Sequence, residues 1–325
     1  VALAIGVDVG GTKVLAAAID TDTPTKILRA HRVPTPPGTG VIDAITELVA
    51  RLQDEATAAG HGPVVGVGVG LPGLVAPDGV LLGAPHLPDL VGLPLRSTLA
   101  TTIGLPVTLD NDANCAAWAE VVCGVGRGTS EVLVVTLGTG IGGGLVIDGT
   151  LRHGAHGAAG EPGHMVIDPN GPPCPCGRRG CWERYASGSG LGLLGQVAAA
   201  AGEAPALLTR AGSADAVRGE DVVAAAREGD RGARAVIESF ADWLGMGLAN
   251  LVTLLDPELV VVGGGLADVA DLFVDRARQA MVAQALGAPT RPPARLEIAT
   301  LGSDAAVIGA ALVAVPPAEP VFARR

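Results

Sequence analysis

Residues 174–183 read CPCGRRGCWE, so three of the chain's five cysteines, Cys174, Cys176 and Cys181, fall within eight residues. Gly, Pro and Arg surround them, which is not the setting of a buried apolar thiol. A disulfide would use two and strand the third. The opening VALAIGVDVGG has no basic region and breaks at once into Gly and Asp, unlike a secretory signal, so a cytoplasmic location is expected. Clustered cysteines in that compartment read as a metal site. Structural zinc takes four Cys or His ligands. The nearest candidate for the fourth is His164 in GEPGHM, with His153 and His156 as rivals by proximity. Gly177 and Gly180 let the loop fold back so that Cys181 can reach the ion.

A second chemistry lies in glycine-rich turns. Asp8, Gly10, Gly11, Thr12 and Lys13 form DVGGTK, whose exposed amides can cradle anionic oxygens. Asp8 repels phosphate, so its natural role is to hold Mg²⁺ beside it, directly or through water. The pattern is neither a P-loop nor a dinucleotide fingerprint. Strands flank the turn, and that hairpin context points to the actin-like ATPase plan. Gly138, Thr139 and Gly140 then supply a second phosphate loop. Gly263, Gly264 and Gly265 follow a buried strand and suit close approach of a nucleotide base or ribose, although a plain tight turn explains them as well.

Carboxylates complete the set. In LDNDAN (109–114) a strand gives way to a helix, and either Asn111 or Asp112 can cap it. Beside phosphate-binding turns, a carboxylate there can instead take the proton of an attacking alcohol. Asn111 can donate to and accept from a hydroxyl. Asp110 is a rival base, but its apolar strand neighbours predict a less accessible place. Glu161 and His164 are three apart, and Glu183 follows Cys181 by two. Such groups receive several hydroxyls and reject substrates that lack them. A metal would pin the loop carrying Glu183 to the turn carrying His164, and His164 could give one ring nitrogen to metal and one to a hydroxyl. The plain alternative is a solvated Glu183 and a His164 that only ligates.

The elements that must position these groups read as α/β. Strands are predicted within 3–11, 13–20, 26–33, 64–73, 257–265 and 294–300, and helices at 40–56, 233–256, 268–286 and 304–315, while 105–122 reads as strand, polar turn and helix and 131–148 as strand, glycine turn and strand. VDVGGTKVLAAAID and VTLGTGIGGGLVID repeat one plan, a glycine turn between two strands, and so predict a duplicated fold with turns facing across a cleft. The 325 residues suffice for two domains. The formal net charge of -11 argues against nucleic acid as a partner. No apolar run has bilayer-spanning length.

DVGGTK, GVGLPG, NDAN, LGTGIGGG, GEPGHM followed by CPCGRRGCWERYASG, and VVGGG together resemble the signature series of the ROK family of sugar kinases and regulators. The resemblance runs from Val7 to the final helix and is strongest to bacterial glucokinases of the actinobacterial type. It implies an actin-like (ribonuclease H-like) duplicated fold with a central cleft: a small domain of 1–111 joined by the C-terminal helix 304–325, and a large domain of 112–303 with a zinc loop at 164–181. It implies ATP-dependent phosphorylation of a hexose at its 6-hydroxyl, with Mg²⁺ and a structural Zn²⁺, in a homodimer or homotetramer. Asp112 matches the family's base. Asn111, Asp112, Glu161, His164 and Glu183 match its sugar contacts, with the backbone near Gly70 and Gly73 lining the site. His164, Cys174, Cys176 and Cys181 match its zinc ligands. The stretch APHLPDL, where His86 stands, departs from the family pattern at the border of the sugar pocket. N-acetylglucosamine, N-acetylmannosamine or fructose is therefore the alternative substrate, and a non-catalytic sugar sensor the alternative of another class. Polyphosphate-using relatives usually lack the cysteine motif, which favours ATP.

Overall fold

A computed structural model of the chain describes residues 3–287 and 290–315. The chain opens with β1 (Leu3–Val9), β2 (Lys13–Asp20) and β3 (Ile27–Pro34), then α1 (Gly40–Ala58) and β4 (Val64–Leu71). A small ribbon of β5 (Leu74–Val75) and β6 (Leu81–Gly83) precedes α2 (Leu95–Ile103), β7 (Val107–Asn111) and α3 (Asp112–Cys123). There follow β8 (Val132–Leu137), β9 (Ile141–Ile147), β10 (Thr150–Leu151), α4 (Glu183–Ala186), α5 (Gly188–Ala200), α6 (Pro205–Ala211), α7 (Gly219–Arg227) and α8 (Arg231–Leu255). The last elements are β11 (Leu259–Gly263), α9 (Val274–Gln284), β12 (Arg295–Ile298) and α10 (Ala305–Ala314).

The predicted duplication is carried by the topology. One five-stranded sheet has the order β3-β2-β1-β4-β7 and the other β10-β9-β8-β11-β12. Leaving the β5–β6 ribbon aside, each reads third-second-first-fourth-fifth in its own strand sequence. In the first sheet β1 pairs antiparallel with β2 and parallel with β4, and β4 pairs parallel with β7.

Alternation along β1 and β2 serves two cores, since successive side chains of a strand point to opposite faces. Ile5, Val7, Val9, Val14 and Ala16 pack with Val41, Ile45, Leu48 and Leu52, the apolar stripe of α1. Ala4, Leu15, Ala17 and Ile19 pack with Val307, Ile308 and Ala311 of α10. This second core is thin. A Cβ at Gly68 would collide with the Ala310 carbonyl, and one at Gly309 with the Cys115 carbonyl, so α10 lies directly on β4 and α3. The shortage of aromatic residues is met in this way, by close backbone approach instead of large side chains.

The chain divides into two compact units. Of the described residues, one holds 3–133, 144–160 and 300–315, and the other 134–143, 161–287 and 290–299. The sequence reading began its large domain at 112, whereas α3 falls in the first unit, because it packs on α10. The predicted helix over 268–286 is shorter: a 3₁₀ segment covers Gly265–Leu272 with non-helical backbone at Val269, and regular helix starts at Val274. The final helix ends at Ala314, and the part of the expected 304–325 helix beyond residue 315 lies outside the described residues. Among the described residues no single helix is long and apolar enough to cross a membrane.

One buried carboxylate holds the first unit together where the chain returns to it. Glu120 of α3 is 1 % exposed. It accepts from the N–H of Val125, Thr300 and Leu301 and from the Thr300 hydroxyl, at 2.7–3.2 Å. Glu120→Ala orphans these donors, and each buried unpaired group costs about 1–3 kcal/mol. A clear drop in melting temperature is the expected outcome in thermal unfolding.

Candidate active site and metal cluster

In the first unit the β1–β2 turn is closed by Gly10 N–H donating to the Lys13 carbonyl at 2.8 Å. Thr35 braces it from β3's end, its hydroxyl donating to the Gly10 carbonyl at 2.7 Å and its N–H to the Thr12 carbonyl at 3.1 Å. Gly11 and Thr12 are left exposed, as an anion cradle requires. Burial raises the Asp8 carboxyl above its ordinary range, with Lys13 acting in the opposite direction. A cation bound there would be held by a carboxylate short of compensating charge, so Asp8 fits the expected Mg²⁺ role. His86 stands against this turn, with its ring 3.4 Å from where a Gly11 Cβ would be.

The parallel register of β4 and β7 sets Gly70 opposite Asp110 and Leu71 opposite Asn111. Gly73 is at φ 146°, where a Cβ would strike the Gly83 carbonyl, and its own carbonyl accepts from Asn111 Nδ2 at 3.1 Å. Asn111 is the cap of α3: its Oδ1 accepts from Ala113 N–H at 2.8 Å and Asn114 N–H at 3.1 Å. The open choice between Asn111 and Asp112 is thereby decided, and Asp112 is the first helical residue. The cap also narrows what Asn111 offers a hydroxyl. Its oxygen is engaged, so the amide's remaining N–H is what it has left, and the expectation that it both donates and accepts is corrected. Asp110, the rival base, is 5 % exposed and fully engaged by Asn111, Asn114 and His153. The buried Cys115 thiol is pushed well up, first by burial and then by Asp110, Asp112 and Asp8, so three carboxylates converge around it.

In the second unit His164, Cys174, Cys176 and Cys181 form the predicted cluster, with their ligand atoms all within 4.8 Å of one another. Cys176 and Cys181 sulfurs are 3.6 Å apart, and Cys174 Sγ lies 3.8 Å from His164 Nδ1. A tetrahedral zinc with thiolates at about 2.3 Å has sulfur edges of about 3.8 Å, so the donor set fits. Burial presses the Cys176 thiol upward, but hydrogen bonds from Arg178 and the neighbouring thiols outweigh it and bring it to about 6, whereas the Cys174 and Cys181 thiols are pushed up, first by burial. His153 does not compete for the metal, because Asp110 holds it.

Glu183 ties the cluster to the rest of the site. Its Oε1 lies 3.0 Å from Cys174 Sγ and 3.5 Å from His164 Nδ1. Its Oε2 is the atom a Cβ on Gly140 would press against, so the second glycine turn adjoins it. Burial raises the Glu161 carboxyl; His164 lowers it and Glu183 raises it. Because Nδ1 faces the sulfurs, His164 Nε2 is the nitrogen left for a substrate. Support comes from residues that sequence reading passed over. Trp182 donates its indole N–H to the Trp243 carbonyl at 2.9 Å, and Tyr185 stacks on Trp243 at 4.3 Å while donating to Asp168 at 2.8 Å. They fix α4, and with it Glu183.

A cavity of ≈ 930 Å³ lies in the same unit. Gly138, Thr139 and Gly265 line it with Gly188, Ser189 and Arg218, whereas Gly263 and Gly264 do not. Gly188 N–H donates to the Gly138 carbonyl at 2.8 Å, so the N-terminus of α5 adjoins the phosphate turn. The sequence signal for this was the Ser187 cap, which accepts from Gly190 N–H at 3.1 Å.

Comparison with known proteins gives a concordant result. The family model described as ROK family matches residues 4–316. The chain is 40% identical over 320 residues to a glucokinase of Streptomyces coelicolor, covering 97% of this chain and 98% of that one. Among solved structures it is similar to a ROK family glucokinase from Streptomyces griseus in complex with glucose and AMPPNP, at TM-score 0.81 and 41% identity, covering 96% and 99% of the two chains. It is also similar to a ROK hexokinase from Thermus thermophilus, at TM-score 0.78 and 33% identity, covering 96% and 98%.

Proposed function

This chain belongs to the ROK family, and from that premise we propose that it is a glucokinase, transferring the γ-phosphoryl group of ATP to the 6-hydroxyl of glucose. The observation that carries the residue-level reading is the position of Glu183. It touches the metal cluster, His164 and the Gly138–Gly140 turn at once.

In this reading Asp112 takes the proton from the 6-hydroxyl as its oxygen bonds to phosphorus, and the bond from phosphorus to the ADP oxygen breaks. Asn111 donates to a sugar hydroxyl, and the backbone near Gly70 and Gly73 lines the site. Glu161, Glu183 and His164 Nε2 receive the other hydroxyls. Glu161→Gln is accordingly expected to weaken sugar binding more than turnover. Gly10, Gly11, Thr12 and Lys13, and likewise Gly138, Thr139 and Gly140, form glycine-rich turns suited to donate to phosphate oxygens. Gly263–Gly265 and the cavity beside them take the nucleoside. Mg²⁺ held by Asp8 would supply charge neutralisation of the phosphates. Zinc held by His164, Cys174, Cys176 and Cys181 would supply rigidity alone.

A cytoplasmic enzyme of two or four copies completes the proposal, and light scattering of the purified protein reads the copy number. The functional test is ADP release over a panel of glucose, fructose, N-acetylglucosamine and N-acetylmannosamine. Glucose is expected to give the highest kcat/KM. A higher value for an aminosugar or fructose overturns the substrate, and no turnover with any of them overturns the kinase reading.

A further inference from the structure

The residues proposed above leave one contact to a buried carboxylate of the first unit without a part in the reaction. His153 Nε2 lies 2.7 Å from Asp110 Oδ2, with side chains 45 % and 6 % exposed. Its loop is held on both sides. Arg152 N–H donates to the Leu145 carbonyl at 2.8 Å, and Ala159 N–H to the His153 carbonyl at 3.1 Å. Gly157, at φ 75°, packs so closely that a Cβ there would strike the Val75 carbonyl. The loop is thus fixed so as to deliver one imidazole to one carboxylate.

The other oxygen of that carboxylate faces the helix that begins with Asp112. Asp110 Oδ1 accepts from Asn111 N–H at 2.7 Å and from Asn114 Nδ2 at 3.0 Å. These are the cap and the third residue of α3, one on each side of Asp112. Burying an ionised carboxylate is costly, and both its hydrogen bonds and the opposite charge of a protonated His153 offset that cost at Asp110. Asp8 and Asp112 also converge with Asp110 around Cys115.

We propose that His153 is a positioning residue for the phosphoryl-transfer reaction: as the cation on Asp110 it fixes the first turn of α3 and favours the ionised, proton-accepting form of Asp112. This rests on the reading of Asp112 as the base. The groups facing His153 are few. Asp110 comes from β7, and Arg96 of α2 lines the same cavity of ≈ 610 Å³. Trp118 of α3 and Leu312 and Val313 of α10 are its uncharged neighbours there. Arg152, next in the chain, pairs with Asp148 at 3.5 Å. The hydrogen bond to Asp110 raises the His153 pKa above its ordinary value, against the effect of burial. The imidazolium therefore persists to higher pH than that of an ordinary histidine and is lost as pH rises through that raised value.

The test is the pH dependence of kcat and kcat/KM for wild type, His153→Ala and His153→Gln, with melting temperatures. Removing a cation disfavours a neighbouring carboxylate anion, so the acid limb of kcat/KM should move up by about half a pH unit in both variants. At neutral pH His153→Ala should lose about 10-fold in kcat with a much smaller change in glucose KM, as a lost orienting contact to the catalytic machinery does. Gln keeps an N–H donor without the charge, so it should recover part of kcat but leave the acid limb displaced. If His153→Ala fails to fold, His153→Gln carries the test. A folded His153→Gln with the wild-type acid limb overturns the proposal, as does His153→Ala with wild-type kcat or with a loss confined to melting temperature. Wild-type turnover in Asp112→Asn would remove the base reading itself, so the two failures are distinct.

Discussion

Asp112→Asn is expected to lower kcat by about 10²–10⁴-fold while the protein keeps its melting temperature and most of its affinity for glucose. The 6-hydroxyl of a sugar is a poor nucleophile while it holds its proton. A carboxylate can orient it and accept that proton, whereas the isosteric amide only orients it. Phosphoryl transfer has a loose transition state that leans on positioning, so the lower end of the range is expected. Had Asp112 been a cap, Asn would have served nearly as well. Asn111 fills that place, with two backbone N–H groups on its Oδ1, so the substitution tests the chemistry with little structural confusion. Near wild-type kcat in the folded variant would sink the base assignment.

Cys176→Ser is expected to empty the metal cluster and weaken glucose binding. Elemental analysis of the wild type should find about one zinc per chain, and the variant close to none, since a hydroxyl does not replace a thiolate. Metal binding of this kind is coupled to ordering of the loop that makes it. Glu183 touches both Cys174 and His164, so a disordered loop releases a sugar-binding side chain with it. Groups that orient a metal site and its surroundings typically matter by about 10–100-fold, and a rise in glucose Kd of that order is expected. Active wild-type protein free of zinc would end the idea. Metal loss with unchanged sugar binding would leave a structural zinc and separate it from the sugar residues.

Much of this was legible in the residues. The cysteine spacing announced a metal loop because three thiols in eight residues have few other uses. The repeat of strand, glycine turn and strand announced a duplication, and both sheets carry the same strand order. Local periodicity also placed α1, α8 and α10 to within a few residues. These are properties of short stretches, where side-chain type and spacing act directly on the backbone.

What remained open depended on partners distant in the chain. The sequence could not choose between Asn111 and Asp112 as cap, because both types cap well; the Gly73 carbonyl, 38 residues away, holds the Asn111 amide and turns its oxygen to the helix. It offered three histidines for one metal position, and only the folded chain gives His153 to Asp110 and His164 to the sulfurs. It read one helix over 268–286, where the 3₁₀ path of Gly265–Leu272 and the break at Val269 follow from tertiary packing. Nor did it separate the thin core under α10, which exists because Gly68 and Gly309 let backbones meet without side chains between them. Residue types determined which chemistry this chain can perform; contacts between segments tens of residues apart decided which atom performs it, since burial and hydrogen-bond partners are set by the packed chain and not by its neighbours in sequence.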